Sequence, residues 1–468
     1  MEWMHKYCQS YHTLFKEFNY NNIKVIHHKK QNQNKSNEST LTLKDYLHQL
    51  YLEYPDLNNI LDFDKKILER LKKAISTTST KALSDWFNNY NQEIFDQENN
   101  LINVLFKFSE KPNISPKIKK IIMKILGKLE GCNKFMSFDI NLELDKGLQY
   151  TYTYSDNELK FKVHSDKEIP LDNIYWRFLY ARMKSIPKTY DVSSITPKVI
   201  TFEIYLSEQK KQLPRKGCIF GPQQINSGCT DYETITIWRK EEHFKLILHE
   251  SIHFYNLDGS FDLSQQNENI NLECNYQIGD KNETRIYEAY TESLASFLNS
   301  FANAYQIYYM ENHQIIQSDT LTDQDFKKIY KIRYDLWNLE RRFALIQISK
   351  IFININPDSS DFKDFLVNPS NCSSDRSKMI HKLHQRTSVL SYHILKGANI
   401  FFDLEFIEWL PNVFDPHPKS LYKFYEYITM KTNQPEFIKA INQMIKYMKG
   451  LPKYDKNLRM TFYETEFI

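Results

Sequence analysis

Residues 241–256, EEHFKLILHESIHFYN, constrain the fold of this chain more than any other stretch. Phe244, Leu246, Ile247, Leu248, Ile252 and Phe254 give a mostly buried helical body. Glu241 and Glu242 suit the positive end of its dipole, and Gly259 follows as a stop signal. His249 and His253 stand four residues apart, so one turn brings both imidazoles to one face. A helix this apolar has little structural reason to carry two histidines and a glutamate. One reading is a pair of core histidines with ordinary hydrogen bonds. The sharper one is that the imidazoles hold one zinc ion. Glu250, one residue round the helix from His249, then reaches a metal-bound water as general base.

Such a site needs a third protein ligand and an open position for water. Residues 283–303, ETRIYEAYTESLASFLNSFAN, read as a second helix with two stripes. Glu288, Thr291, Glu292, Ala295, Ser296 and Asn299 share one. Ile286, Tyr290, Leu294, Phe297 and Phe301 lie largely on the other. Alone, the first stripe would read as a solvent-facing acidic face. Paired with the upstream motif, it offers Glu288 as ligand. Glu292, one turn later, is then placed to accept the free ring N–H of a ligating histidine.

This arrangement resembles the gluzincins, the thermolysin-like zinc peptidases. Their pattern is H-E-x-x-H on one helix and a glutamate on a later helix, followed four residues on by Asp or Glu. The match is His249-Glu250-x-x-His253, then Glu288-Ala-Tyr-Thr-Glu292. The E-x-x-x-E form is closest to the anthrax lethal factor branch, and the resemblance covers roughly residues 170–305. It implies His249, His253 and Glu288 as ligands of one zinc, Glu250 as base, and Glu292 behind a ligand. The metzincin pattern fails, with Asn256 where it wants Gly and Gly259 where it wants His.

The segment upstream fits the same picture. Residues 170–184 look helical, and KVITFEIYL at 198–206 and ETITIWR at 233–239 have strand composition. The order helix, strand, strand, metal helix is similar to the upper half of zincin domains. In that family the strand nearest the cleft pairs with an extended peptide, and 233–239 is a candidate. Hydrolysis also needs a donor for the developing oxyanion. Tyr392 or His393, in the apolar helix TSVLSYHILKGANIFF, is the best choice, with Tyr276 and Tyr287 as alternatives. The implied reaction is peptide hydrolysis. Zinc lowers the pKa of its water, and Glu250 takes the proton and passes it to the leaving amine.

At 468 residues the chain has room for several core-bearing units. The expected fold is α+β, a zincin-like core with a small mixed sheet, flanked by mostly helical ends. Three regions are expected. Residues 1–131 form a helical N-terminal domain, with 21–39 a loose linker and helices at 41–52, 56–76, 80–108 and 115–130. Residues 132–259 form a β-containing upper subdomain, opening with alternating strands over 134–164. Residues 260–468 are helical, with helices at 323–354, 376–398, 418–431 and 434–448. A net charge of +3 argues against a dedicated nucleic-acid or membrane-surface protein. No apolar run reaches signal-peptide or membrane-span length. The six cysteines are scattered without a C-x-x-C. A soluble intracellular peptidase acting on a peptide or protein is therefore expected, its oligomeric state unread. Its richness in Asn, Lys, Ile and Tyr resembles chains from AT-rich genomes, some large DNA viruses among them. Two other readings stand beside it. One is a non-catalytic zinc-binding or interaction protein on a metallopeptidase fold. The other is a zinc hydrolase of a non-peptide amide.

Overall fold

The computed structural model describes residues 2–28, 148–190, 192, 199–214, 220–231, 233–258, 275–278, 285–312, 319–367, 383–385, 387–402 and 421–463. The helices expected between 41 and 130 and the start of the alternating stretch lie outside them. The remainder is a mixed α+β structure around one six-stranded sheet.

The strands are β1 (Ile23–His27), β2 (Tyr150–Ser155), β3 (Leu159–Ser165), β4 (Ile200–Tyr205), β5 (Gly228–Thr230) and β6 (Thr234–Ile237). Their order across the sheet is β1-β2-β3-β4-β6-β5. The two central pairings, β3 with β4 and β4 with β6, are parallel, and the outer ones are antiparallel. Alternation decides which face is covered. Leu159, Phe161, Val163, Ile200, Phe202, Ile204, Ile235 and Ile237 all point into the core. Their neighbours, such as Lys160, Lys162 and Glu203, point the other way.

Helix α1 (Glu2–Glu17) packs on α2 (Tyr175–Thr189), and α2 meets the sheet through Trp176 and Tyr180. Trp176 lies near-parallel to Phe161 and tilted against Tyr152. Residues of α1 thus share the core that holds α2 and the sheet. Ile23, Val25 and Ile26, in a stretch expected as loose linker, are β-branched and find a partner strand in β2. That pairing joins segments far apart in sequence, which local composition does not announce.

Helix α3 (His243–Phe254) packs beneath β5 and β6, between α2 and α4 (Ile286–Asn312). Next come α5 (Asp323–Ile355), a π-helical turn (Leu390–Leu395) running into α6 (Lys396–Phe401), α7 (Leu421–Thr432) and α8 (Pro435–Gly450). Thr322 and Asp325 form a reciprocal capping box at the start of α5. Of the expected 376–398 helix, residues 383–385 instead make β-bridges, to Ile278 and Phe220. No helix among the described residues is long and apolar enough to cross a membrane.

Residues 457–462 run along the core as a strap. Gln212 and Asn457 form an antiparallel bridge, and Leu458 N–H donates to the Lys211 carbonyl at 3.1 Å. Glu242, at the start of α3, sits at φ 68°. Its carboxylate pairs with Lys211 at 2.6 Å and accepts from the N–H groups of Met460 and Thr461. Glu340 of α5 accepts from Thr461 Oγ1 at 3.0 Å and Phe462 N–H at 2.8 Å. Lys396 donates to the Met460 carbonyl. Both side chains of the Lys211–Glu242 pair are fully buried. Removing one member leaves a charge stranded. Lys211→Met is expected to cost about 3–5 kcal/mol, read as a fall in the denaturant midpoint at unchanged slope. An unchanged midpoint would show that the strap's charge cluster adds nothing to stability.

Candidate metal centre

His249 and His253 lie on the face of α3 turned toward α4, as their spacing requires. Their Nε2 atoms are 3.1 Å apart. Glu288, in the first turn of α4, brings Oε2 to 3.1 Å from His253 Nε2 and 3.4 Å from His249 Nε2. Among the described residues these three form the one group able to hold a metal ion.

What stands behind each imidazole fixes its protonation. His253 Nδ1 lies 2.6 Å from Asp258 Oδ2, which also accepts from Thr291 Oγ1 at 2.8 Å. His249 Nδ1 is in ion-pair contact with Glu292 Oε2 at 2.9 Å, though not aligned as a hydrogen bond. A carboxylate behind Nδ1 favours the tautomer with its proton there. In the neutral imidazoles both Nε2 atoms then present lone pairs, and Glu288 presents a third. One shared proton can bridge one pair of these atoms but not all three. Around a tetrahedral ion with bonds of about 2.0–2.1 Å, ligand atoms sit about 3.3–3.4 Å apart. The three observed separations match one face of that tetrahedron.

The charges agree. Burial works against protonating either histidine. Asp258 and Glu288 nevertheless raise the pKa of His253 well above its ordinary value, and Glu288 and Glu292 raise that of His249. Burial likewise disfavours the charged forms of Glu288 and Glu292. The two histidines overcome it for Glu288, and Lys245 and Lys396 do so first for Glu292, so both pKa values are lowered. The acids stay ionised and the site attracts positive charge.

Asp258 reaches His253 because of how α3 ends. Asn256 adopts φ 50°. Leu257 N–H bonds to the Ile252 carbonyl at 2.9 Å and Asn256 N–H to that of His253 at 2.8 Å. This is a Schellman stop with Asn in the left-handed position. It ends the helix earlier than the expected signal at Gly259, which lies outside the described residues. The reversal carries Asp258 back to the ring.

Glu292 is held from behind. Its Oε1 pairs with Lys245 at 2.5 Å and Lys396 at 3.4 Å. Lys245 is one turn before His249, so lysine and imidazole share a helix face and Glu292 spans both.

Glu250 is 5% exposed, and no described group donates to its carboxylate. Burial raises its pKa, partly offset by His249 and His253. Gly228 of β5 lies against it, and a Cβ there would sit 2.8 Å from Glu250 Oε1. That close approach explains a residue without a side chain in this strand. The expected cleft strand, 233–239, is not at the edge. β6 is flanked by β4 and β5, and β5 is the outermost strand on that side.

Of the two proposed oxyanion donors, one comes to the site. The Tyr392 ring lies 5.9 Å from the His249 ring. Burial, then the carboxylates of Glu288 and Glu250, hold its phenol well above the ordinary value, so it stays a donor. His393, the next residue on the π turn, is buried among other groups. Burial and the nearby Lys396 and Lys211 push its pKa far down. Successive helical side chains diverge too widely for both to face one centre. Of the alternatives, Tyr276 bonds to Thr432 and is fully buried elsewhere. The Tyr287 ring stands edge-on to His253 at 6.0 Å.

Sequence reasoning missed Asp258, Lys245, Lys396 and Gly228. An acid just past the metal helix was the available signal for the first. Cys8 and Cys229 are free thiols, and the other four cysteines lie outside the described residues. No protein-family model, curated protein or solved structure matches the chain.

Asp258→Asn keeps the shape of the partner behind His253 but removes its charge. It is expected to weaken zinc binding about 10–100-fold, read by competition with a chelating dye. Undiminished affinity would remove Asp258 from the centre.

Proposed function

We propose that this chain is a zinc-dependent peptidase of the gluzincin type, with His249, His253 and Glu288 holding the ion. The observation that carries this reading is the buried triangle of three lone-pair atoms, each imidazole backed by a carboxylate. Two nitrogens and one oxygen suit zinc and leave a fourth position open. Zinc bound there supplies Lewis acidity toward a carbonyl and lowers the pKa of its water.

The remaining roles fall to the chain's own groups. Glu250 has an unspent carboxylate with a raised pKa, the properties of a group that takes a proton and returns it to a leaving amine. Tyr392 keeps its proton and donates to the oxyanion. Glu292, anchored by Lys245 and Lys396, keeps His249 oriented.

The sheet supports a peptide as substrate. β5 is a short edge strand whose glycine touches Glu250, and no described strand pairs with its outer side. An extended peptide adding to that edge would run past the general base.

Glu250→Gln separates this reading from that of a zinc-binding interaction protein. The variant is expected to bind zinc as the wild type does and to cleave a peptide library at least 100-fold more slowly. Equal cleavage by both proteins would take the general base away from Glu250. A wild type that binds zinc but cleaves no peptide would favour the binder or a non-peptide amide.

A further inference from the structure

Among the described residues, the rim of the site carries one cation that the reaction above does not use. Arg285 immediately precedes α4 and is half-buried. Its carbonyl accepts from Glu288 N–H at 3.2 Å and from Ser391 Oγ at 2.7 Å. Arg285 is thereby tied both to the turn that presents Glu288 and to the π turn that presents Tyr392. Its Nη1 donates to the Tyr287 hydroxyl at 3.1 Å, and the Tyr287 ring stands against His253. The guanidinium therefore lies next to the ligands, on the side of His253 and Glu288.

Arg285 is not spent on an acid. A guanidinium has five N–H donors. Among the described residues its side chain makes the Tyr287 contact and no ion pair, and Glu288 is not within salt-bridge distance of it. The contrast with the site's other cations is sharp. Lys245 and Lys396 are buried and committed to Glu292. Among these three cations it is Arg285 that combines a fixed backbone, partial exposure and unused donors. A planar fork of this kind suits a carboxylate, bound through two parallel hydrogen bonds. It also offsets the repulsion that Glu288, Glu250, Asp258 and Glu292 would exert on an acidic substrate.

We propose that Arg285 receives a substrate carboxylate close to the scissile bond, making the site selective for peptides that carry an acid there. This inference rests on the metal-centre reading above. The acid is either the C-terminal carboxylate, which would make the enzyme an exopeptidase, or an acidic side chain within a longer chain.

The test uses chelating probes, so it does not depend on turnover. Three hydroxamates are compared on the zinc-loaded protein by calorimetry. They are succinyl-alanine with a free carboxylate, succinyl-alanine amide, and succinyl-aspartate amide, each bearing the hydroxamate on the succinyl end. Acetohydroxamate reports the metal centre alone. At least one acid probe is expected to bind about tenfold or more tightly than the alanine amide. The free-carboxylate probe winning would assign an exopeptidase, and the aspartate probe an acidic side chain. Arg285→Gln is expected to abolish the preference while leaving acetohydroxamate binding unchanged. Arg285→Lys is expected to keep a reduced preference, having the charge without the fork. Equal binding of acids and amide by the wild type would overturn the proposal, and so would a preference that survives in Arg285→Gln. Failure of the wild type to bind acetohydroxamate would instead reject the metal centre, and this inference with it.

Discussion

Three electron-rich atoms are crowded together in the interior of this protein, and much of the surrounding structure exists to keep them there. His249 Nε2, His253 Nε2 and Glu288 Oε2 lie at mutual separations where lone pairs repel. A proton shared between one pair relieves only part of that crowding. A cation at its centre turns the repulsion into coordination, and ligand-ligand spacing around a tetrahedral ion accounts for the observed distances. The Asp258 and Glu292 carboxylates make the arrangement directional, because each biases an imidazole toward presenting Nε2.

This polar centre sits in an apolar interior, so its charges need partners several residues deep. Glu292 is buried completely, and its anionic form persists because Lys245 and Lys396 are buried with it. Lys396 is held in turn by the Met460 carbonyl. Glu242 and Glu340 fix the same strap through its N–H groups. Residues 457–462 thus clasp the start of α3, which carries two of the ligands, to α5 and α6. Removing one member of such a network is expected to cost more than its own contact, because the rest is left desolvated and unpaired.

The parts of the site that were legible in sequence are those set by helical geometry alone. His249, Glu250 and His253 follow from one turn of α3, and Glu288 and Glu292 from one turn of α4. Both patterns survive whatever the rest of the chain does. Asp258 was not legible, because its position depends on the left-handed Asn256 reversing the chain after α3. Lys245 was hidden by its surroundings, since a single lysine on an apolar helix reads as a group bound for solvent. The π turn was equally invisible, and it is the turn that presents Tyr392 to the site and His393 elsewhere. In the fold, β2, β3 and β6 announced themselves by alternation and β4 by its β-branched and aromatic composition. β1 did not, because only its pairing with β2 makes Ile23–His27 a strand. The edge position fell to β5, a strand of 3 residues. That is too short to carry a period, so the edge could not be read from the sequence.

The central claim is that the triangle exists for a metal ion. It is tested by counting zinc per chain in purified, folded protein, wild type beside His249→Ala and Glu288→Ala. The account predicts about one zinc per wild-type chain and a sharp loss in both variants. A folded wild type that stays zinc-free even after zinc is supplied would contradict it. The two histidines and the glutamate would then be a polar core cluster, and the interaction-protein reading would take first place.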